Sequence, residues 1–217
     1  LAGLREADRT GRGPVVDAAI VDGAAHLTTM FSGLLAGGLW SDRRGANLLD
    51  SGAPFYDVYE TADGGHMSVG ALEPQFFAEL VRLLGLSDDP DLPAQHDIAR
   101  WPELRRRFAA VFGSRSRDEW TKVFAGTDAC VAPVLSVTEA PHDPHLVARG
   151  TFEERDGVVQ PAPAPRFSGG AETATAAVPP PKPGEHTRAA LESWGVDGTD
   201  GWLAAGAAIQ MGEGTNG

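Results

Sequence analysis

Residues 48–77, LLDSGAPFYDVYETADGGHMSVGALEPQFF, constrain this fold more tightly than any other stretch. Phe55 to Thr61 alternates apolar and polar as a half-buried strand does, and His66 to Leu72 returns in the same rhythm. Between them, Asp63-Gly64 is the strongest short-range hairpin signal. Pro74 has a fixed φ and no N–H, so it suits the first position of a helix running from Glu73 to about Leu84. The segment therefore predicts a turn, an antiparallel hairpin and a helix start that carries one carboxylate. Free amides of the first turn and the helix dipole favour the negative charge of Glu73 there. Glu is not a preferred capping residue. Two readings stand: a carboxylate placed for proton chemistry, or a surface or capping carboxylate.

Leu1 to Arg9 has helical spacing, broken at Thr10 to Pro14 by two glycines and a proline. Val15 to Ile20 reads as a short strand, and Asp22 as the cap of a long apolar helix reaching Gly37. Asp22, His26 and several hydroxyl residues interrupt the apolar run from Ile20 to Trp40, so it reads as a core helix and not a membrane span. Its repeated Gly and Ala suit close packing against another helix or chain. Trp101 to Phe112 and Arg117 to Phe124 carry Leu, Phe and Trp at helical spacing, and Ser116 with Glu119 forms a capping box. Ala129 to Leu135 is a short strand, Val137 with Glu139 begins a helical turn, and residues 151–168 suggest a second hairpin. Residues 169–184, rich in Pro, Ala and Thr, read as a linker. A short helix with Thr187 as cap and Gly195 as stop precedes a Gly-rich tail of about twenty residues that is expected to fray.

The 217 residues carry a net charge of −12, which repels nucleic acid and anionic membrane surfaces alike. Neither is an expected partner. The basic run Arg105, Arg106 and Arg107 falls in a helical pattern and reads as a solvated face. Cys130 is the single cysteine, so no internal disulfide forms and a reducing, cytoplasmic setting is expected. It reads as a small buried hydrophobe in a strand and not as a nucleophile. His26 reads as a packing histidine, His66 as exposed, His186 as a helix cap or docking residue, and His142 with His145 as loop residues. No metal is expected, because no ligand set is complete. A dinucleotide fingerprint, a Walker loop and a nucleophile elbow are all missing from the sequence.

The run at 48–77, together with GRGPVVDAAIVDGA, WPELRRRF, DEWTKVFAGTDACVAPVLSVTEA, PAPRFSG and the GEHT helix start, resembles the α-methylacyl-CoA racemases. These belong to the family III CoA-transferase (CaiB/BaiF-like) superfamily. The resemblance runs from residue 1 to about residue 195. It implies that a base removes the proton α to a thioester carbonyl, that an enolate forms, and that an acid returns a proton on the other face. A His and an Asp are the implied proton-transfer groups, with a Glu that orients the His. That Glu belongs to the family's GAxEPQ motif and falls on Glu73. The family's His-Asp dipeptide, its Gly-rich segment and its CoA-binding arginines match nothing in these residues. The resemblance therefore implies the C-terminal portion of a racemase, inactive without its N-terminal half. It also implies that Leu49, Tyr56 and Leu72 face the acyl chain of an acyl-CoA substrate, where an apolar wall selects by burial. Plain core is the other reading of each. No cofactor is expected, since CoA is part of the substrate. An interlocked homodimer is implied, and it would account for the apolar helix at 23–38.

The expected fold class is α/β, a partial CaiB/BaiF-like fold with linker helices, a small α/β domain with antiparallel hairpins, and a returning C-terminal segment. Residues 1–47 are expected to end a large-domain segment and form the linker helix, 48–168 to form the small domain, and 169–217 to hold the Pro-rich linker, short helix and frayed tail. Two other functions stay open. One is a family III CoA-transferase fragment, whose aspartyl nucleophile would also lie upstream; the other is a non-catalytic dimerisation module. The motifs around Leu49, Tyr56 and Glu73 favour the racemase.

Overall fold

The computed structural model describes residues 1–155, 157–166 and 181–211. They fall in two compact units, Leu1–Val134 and Leu135–Gly217. Most of the expected linker, the end of the second hairpin segment and the last six residues of the tail lie outside the described residues.

The first unit begins with three helices, α1 (Ala2–Thr10), α2 (Ile20–Leu27) and α3 (Thr29–Ala36). The strand expected at Val15 to Ile20 is absent, and the long helix is broken at Thr28, whose backbone leaves helical geometry with ψ 4°. Ala19, not Asp22, is the N-cap of α2. Neither α2 nor α3 buries a residue, so the core-helix reading is overturned, and His26 is exposed. Apolar periodicity reports only that a face wants burial; here Ile20 is 91% exposed and Leu27 81%.

The hairpin follows as expected. Strands β1 (Tyr56–Glu60) and β2 (His66–Gly70) pair antiparallel, with Tyr59 opposite Met67 and Tyr56 opposite Gly70. Their alternation sends Tyr59, Met67 and Val69 inward and leaves Tyr56, Val58 and Ser68 on the open face. Helix α4 (Pro74–Leu83) starts at the expected proline. Helices α5 (Trp101–Phe112) and α6 (Arg117–Phe124) match the expected ranges, and Ser116 with Glu119 makes both bonds of the capping box. Strand β3 (Val131–Pro133) adds antiparallel to β2 and completes a sheet in the order β1-β2-β3.

Helices α4 to α6 pack apolar stripes on the inner face of this sheet. Phe55, Leu80, Leu104, Phe108, Phe112 and Trp120 are fully or almost fully buried. Tyr59 stacks on Phe112 at 5.1 Å, and Trp120 meets Phe112 edge-on at 5.3 Å. The polar atoms of these rings are satisfied, as burial demands: Trp120 Nε1 donates to Phe112 O at 2.8 Å and Tyr59 Oη to Pro54 O at 2.5 Å. The arginine run is not a uniformly solvated face. Arg106 is exposed, but Arg105 pairs with Asp57 of β1 and Arg107 with Asp89 and Glu103.

In the second unit, α7 (Pro144–Arg149) stands where a loop was expected around His142 and His145. Proline at the first helical position, with the Asp143 side chain accepting from His145 N and Leu146 N, starts a helix here instead of preventing one. The second hairpin is present as β4 (Phe152–Arg155) and β5 (Val158–Pro161). Helix α8 (Thr187–Ser193) has His186 at its N-cap, with no side-chain cap bond, and Thr187 inside it. Helix α9 (Thr199–Ala204) replaces part of the expected frayed tail.

Candidate active site

Glu73 stands at the N-cap of α4 in extended backbone, φ −77° and ψ 144°, and the ring of Pro74 fixes the step that follows. Its side chain makes no capping bond and is exposed, so the fold does not consume the carboxylate. Its carbonyl accepts from Phe77 N at 2.9 Å, the first full helical bond. Behind the elbow sits Gln95, a buried residue whose Nε2 donates to Leu72 O at 2.9 Å and to Ala71 O at 3.3 Å. Leu72 itself is half-buried and packs on the core.

Gly70, where β2 ends, ties this elbow to its neighbours. Tyr56 lies opposite it on the open face of the sheet, and Gly70 N donates to Cys130 O at 2.9 Å. Cys130 is exposed, with a left-handed backbone (φ 52°) that turns the chain into β3, so the buried-strand reading is overturned. Partial desolvation of the sulfur pushes its thiol up, and the negative charges of Glu73 and Asp128 push it further. Glu73 and Cys130 thus lie within electrostatic reach. A thiol shifted this way stays protonated near neutrality, the opposite of what a thiolate nucleophile needs.

Leu49 belongs to a different place. It lines an apolar cavity of about 360 Å³ with Leu34, Trp40, His96, Ile98 and Trp101, a lining that does not include Tyr56, Leu72 or Glu73. The turn that presents Leu49 is built on Asp50, whose carboxylate accepts from Asn47 N (2.8 Å), Asn47 Nδ2 (2.7 Å) and Gly52 N (3.1 Å). Burial raises the Asp50 carboxyl, but the bonds from Asn47, Gly52 and Ala46 outweigh it and hold the group below its ordinary range. Any Cβ at Gly52 would collide with the Asn47 backbone, so only glycine closes this turn.

Backbone pairing sets Tyr56 opposite Gly70, to whose carbonyl Leu72 N donates at 2.9 Å just before Glu73, while the Leu72 side chain packs on the core and Leu49 lines the separate cavity. Gln95 and the Glu73–Cys130 proximity have no local sequence signal. Both arise from chain segments that meet only in three dimensions. Among the described residues, no three His, Cys, Asp or Glu side chains group as a metal site, and no helix is long and apolar enough to cross a membrane.

The fold recurs in solved structures. A CaiB/BaiF family protein from Brucella suis superposes with a TM-score of 0.58 at 23% identity, covering 76% of this chain and 44% of that one. A Mycobacterium tuberculosis protein does so with a TM-score of 0.54 at 20% identity, covering 77% and 43%. The sequence profile of CoA-transferase family III matches residues 1–187, and the chain belongs to that family. Among curated relatives, the mouse and human α-methylacyl-CoA racemases are each 45% identical, over 197 and 199 residues. These alignments cover 88% of this chain and 50% of each racemase, so the chain spans half the length of these relatives. A succinyl-CoA:glutarate CoA-transferase from mouse is 26% identical over 201 residues.

Proposed function

We propose that this chain is the Glu73-bearing part of an α-methylacyl-CoA racemase, which epimerises 2-methylacyl-CoA thioesters by α-proton transfer through an enolate. The observation that carries this reading is the 45% identity to two mammalian racemases across 88% of the chain. The transferase similarity is much weaker, at 26%.

In this mechanism a general base takes the α-proton, the electron pair moves into the thioester carbonyl to give the enolate, and an acid delivers a proton to the opposite face. The His and Asp that act as base and acid come, in this reading, from the part of the fold that the relatives carry beyond the matched half. Glu73 orients and charges the His, a role that needs a carboxylate fixed in place and not used up by a cap. Its geometry at the start of α4 supports that role. Tyr56 and Leu72, beside the elbow, suit an apolar acyl wall, and Leu49 suits a more distant part of it. The second partner in this reading is another copy of the chain, against which the exposed apolar residues of α2 and α3 would pack. A cytoplasmic setting fits the lone free thiol.

The test is an assay of (R)- and (S)-2-methylacyl-CoA with the chain alone and with a complementary N-terminal half. Interconversion of the two epimers only with both halves present is the expected result. Transfer of CoA to a free carboxylic acid, without epimerisation, would replace the racemase reading with the transferase one. Epimerisation by the chain alone would overturn the division of catalytic groups.

A further inference from the structure

We infer that Gln95 is a positioning residue for Glu73; the inference rests on the racemase reading above. The amide of Gln95 donates to the two carbonyls that precede Glu73, at 3.3 Å to Ala71 O and 2.9 Å to Leu72 O. The carbonyl of Leu72 lies in the same rigid peptide plane as the N–H of Glu73. Holding that oxygen therefore fixes the plane from which the Glu73 side chain springs, on one side of the residue, while Pro74 fixes the other.

Gln95 is itself anchored. Its own carbonyl accepts from Trp101 Nε1 at 2.8 Å, and Trp101 is the buried first residue of α5. The ring of Trp101 meets Phe55 edge-on at 5.9 Å, and so does His96 at 6.1 Å. The chain of contact runs from the packed core through Trp101 and Gln95 to the Leu72–Glu73 peptide. It spans 23 residues of sequence between Gln95 and Leu72. A donor aimed at a strand-to-helix elbow from that distance gives the elbow a stiffness that its local sequence does not supply. Proton transfer is sensitive to such stiffness, because a displacement of about 1 Å costs up to about a hundredfold in rate.

The test is a double-mutant cycle on the assembled racemase, followed by α-deuterium incorporation from deuterated water into a 2-methylacyl-CoA. Gln95→Met keeps the side chain's length and removes the donor. In the Glu73 background it should lower kcat for exchange by about tenfold or more, with KM nearly unchanged. In the Glu73→Gln background the same change should have little further effect, because the carboxylate it positions is gone. A structural role alone would lower the melting temperature and slow both backgrounds equally, which would overturn the inference. Should Gln95→Met fail to fold, Gln95→Leu removes the donor without burying a charge against the two carbonyls and is expected to show the same pattern. Exchange by Gln95→Met at the parental rate, with Glu73→Gln slow, would sink the role of Gln95 and leave the racemase reading intact. No exchange by the parent enzyme would overturn that reading and this inference with it.

Discussion

Replacing Arg105 with Met should cost about 2–3 kcal/mol of unfolding free energy, a value between those for exposed and buried charge pairs. The guanidinium pairs with Asp57 on the inner side of β1 and donates to Ser51 O at 2.5 Å and Gly52 O at 2.9 Å. It thereby fastens α5 to the turn that carries Leu49 and to the strand that carries Tyr56. Exposed pairs are worth about 0–1 kcal/mol, while removing one member of a buried pair costs about 3–5 kcal/mol. The side chains of Arg105 and Asp57 are 34% and 15% exposed, so this pair lies between those limits, and two carbonyls lose a charged donor as well. With a urea slope of about 2 kcal/mol/M, the midpoint should fall by about 1–1.5 M. Arg106→Met, on the exposed side of the same helix, should change stability by no more than about 0.5 kcal/mol. The Arg105→Met/Asp57→Asn cycle should give a coupling of about 1–2 kcal/mol. Equal urea midpoints for the Arg105 and Arg106 variants would refute the reasoning and restore the solvated-face reading.

Two further outcomes can be checked on the same protein. Ser116→Ala removes half of the capping box of α6 and should lower unfolding free energy by about 1 kcal/mol, with Glu119→Ala close to it; a loss below the error of the urea fit would count against the box. Asp63 is held below its ordinary value of 3.8 by the Thr61 hydroxyl and the Arg117 backbone N–H. Because its folded value lies below its unfolded one, its contribution is complete above about pH 4 and is lost as pH falls through the folded value. The parent should therefore lose stability more steeply than Asp63→Asn below about pH 4, and parallel acid limbs would contradict this.

What the sequence made legible was local. The Asp63-Gly64 turn, Pro74 at a helix start, the Ser116–Glu119 box and the Trp101 to Phe112 stripe each act within a few residues, and each appears where expected. The errors came where a local pattern had two outcomes. Val15 to Ile20 reads as a short strand but forms none, and the apolar run after it breaks at Thr28 and stays exposed. Pro144 began a helix because Asp143 supplied its cap. Cys130 reads as apolar strand, yet its left-handed backbone places it outside β3. At the site, Glu73 was visible as a carboxylate beside a proline, since both halves of that signal are adjacent. Gln95 and Arg105 were not, because a donor that reaches 23 or 53 residues back leaves no periodicity to read.

The most direct test of the proposed function is α-deuterium incorporation into a 2-methylacyl-CoA by the assembled enzyme, with Glu73 and with Glu73→Gln, at equal folded concentration. The account predicts rapid exchange by the parent and exchange slower by at least about tenfold in Glu73→Gln, the low end of what a positioned proton-transfer group contributes. The two proteins should melt at nearly the same temperature. Exchange at equal rates would remove Glu73 from the proton-transfer site and contradict the account.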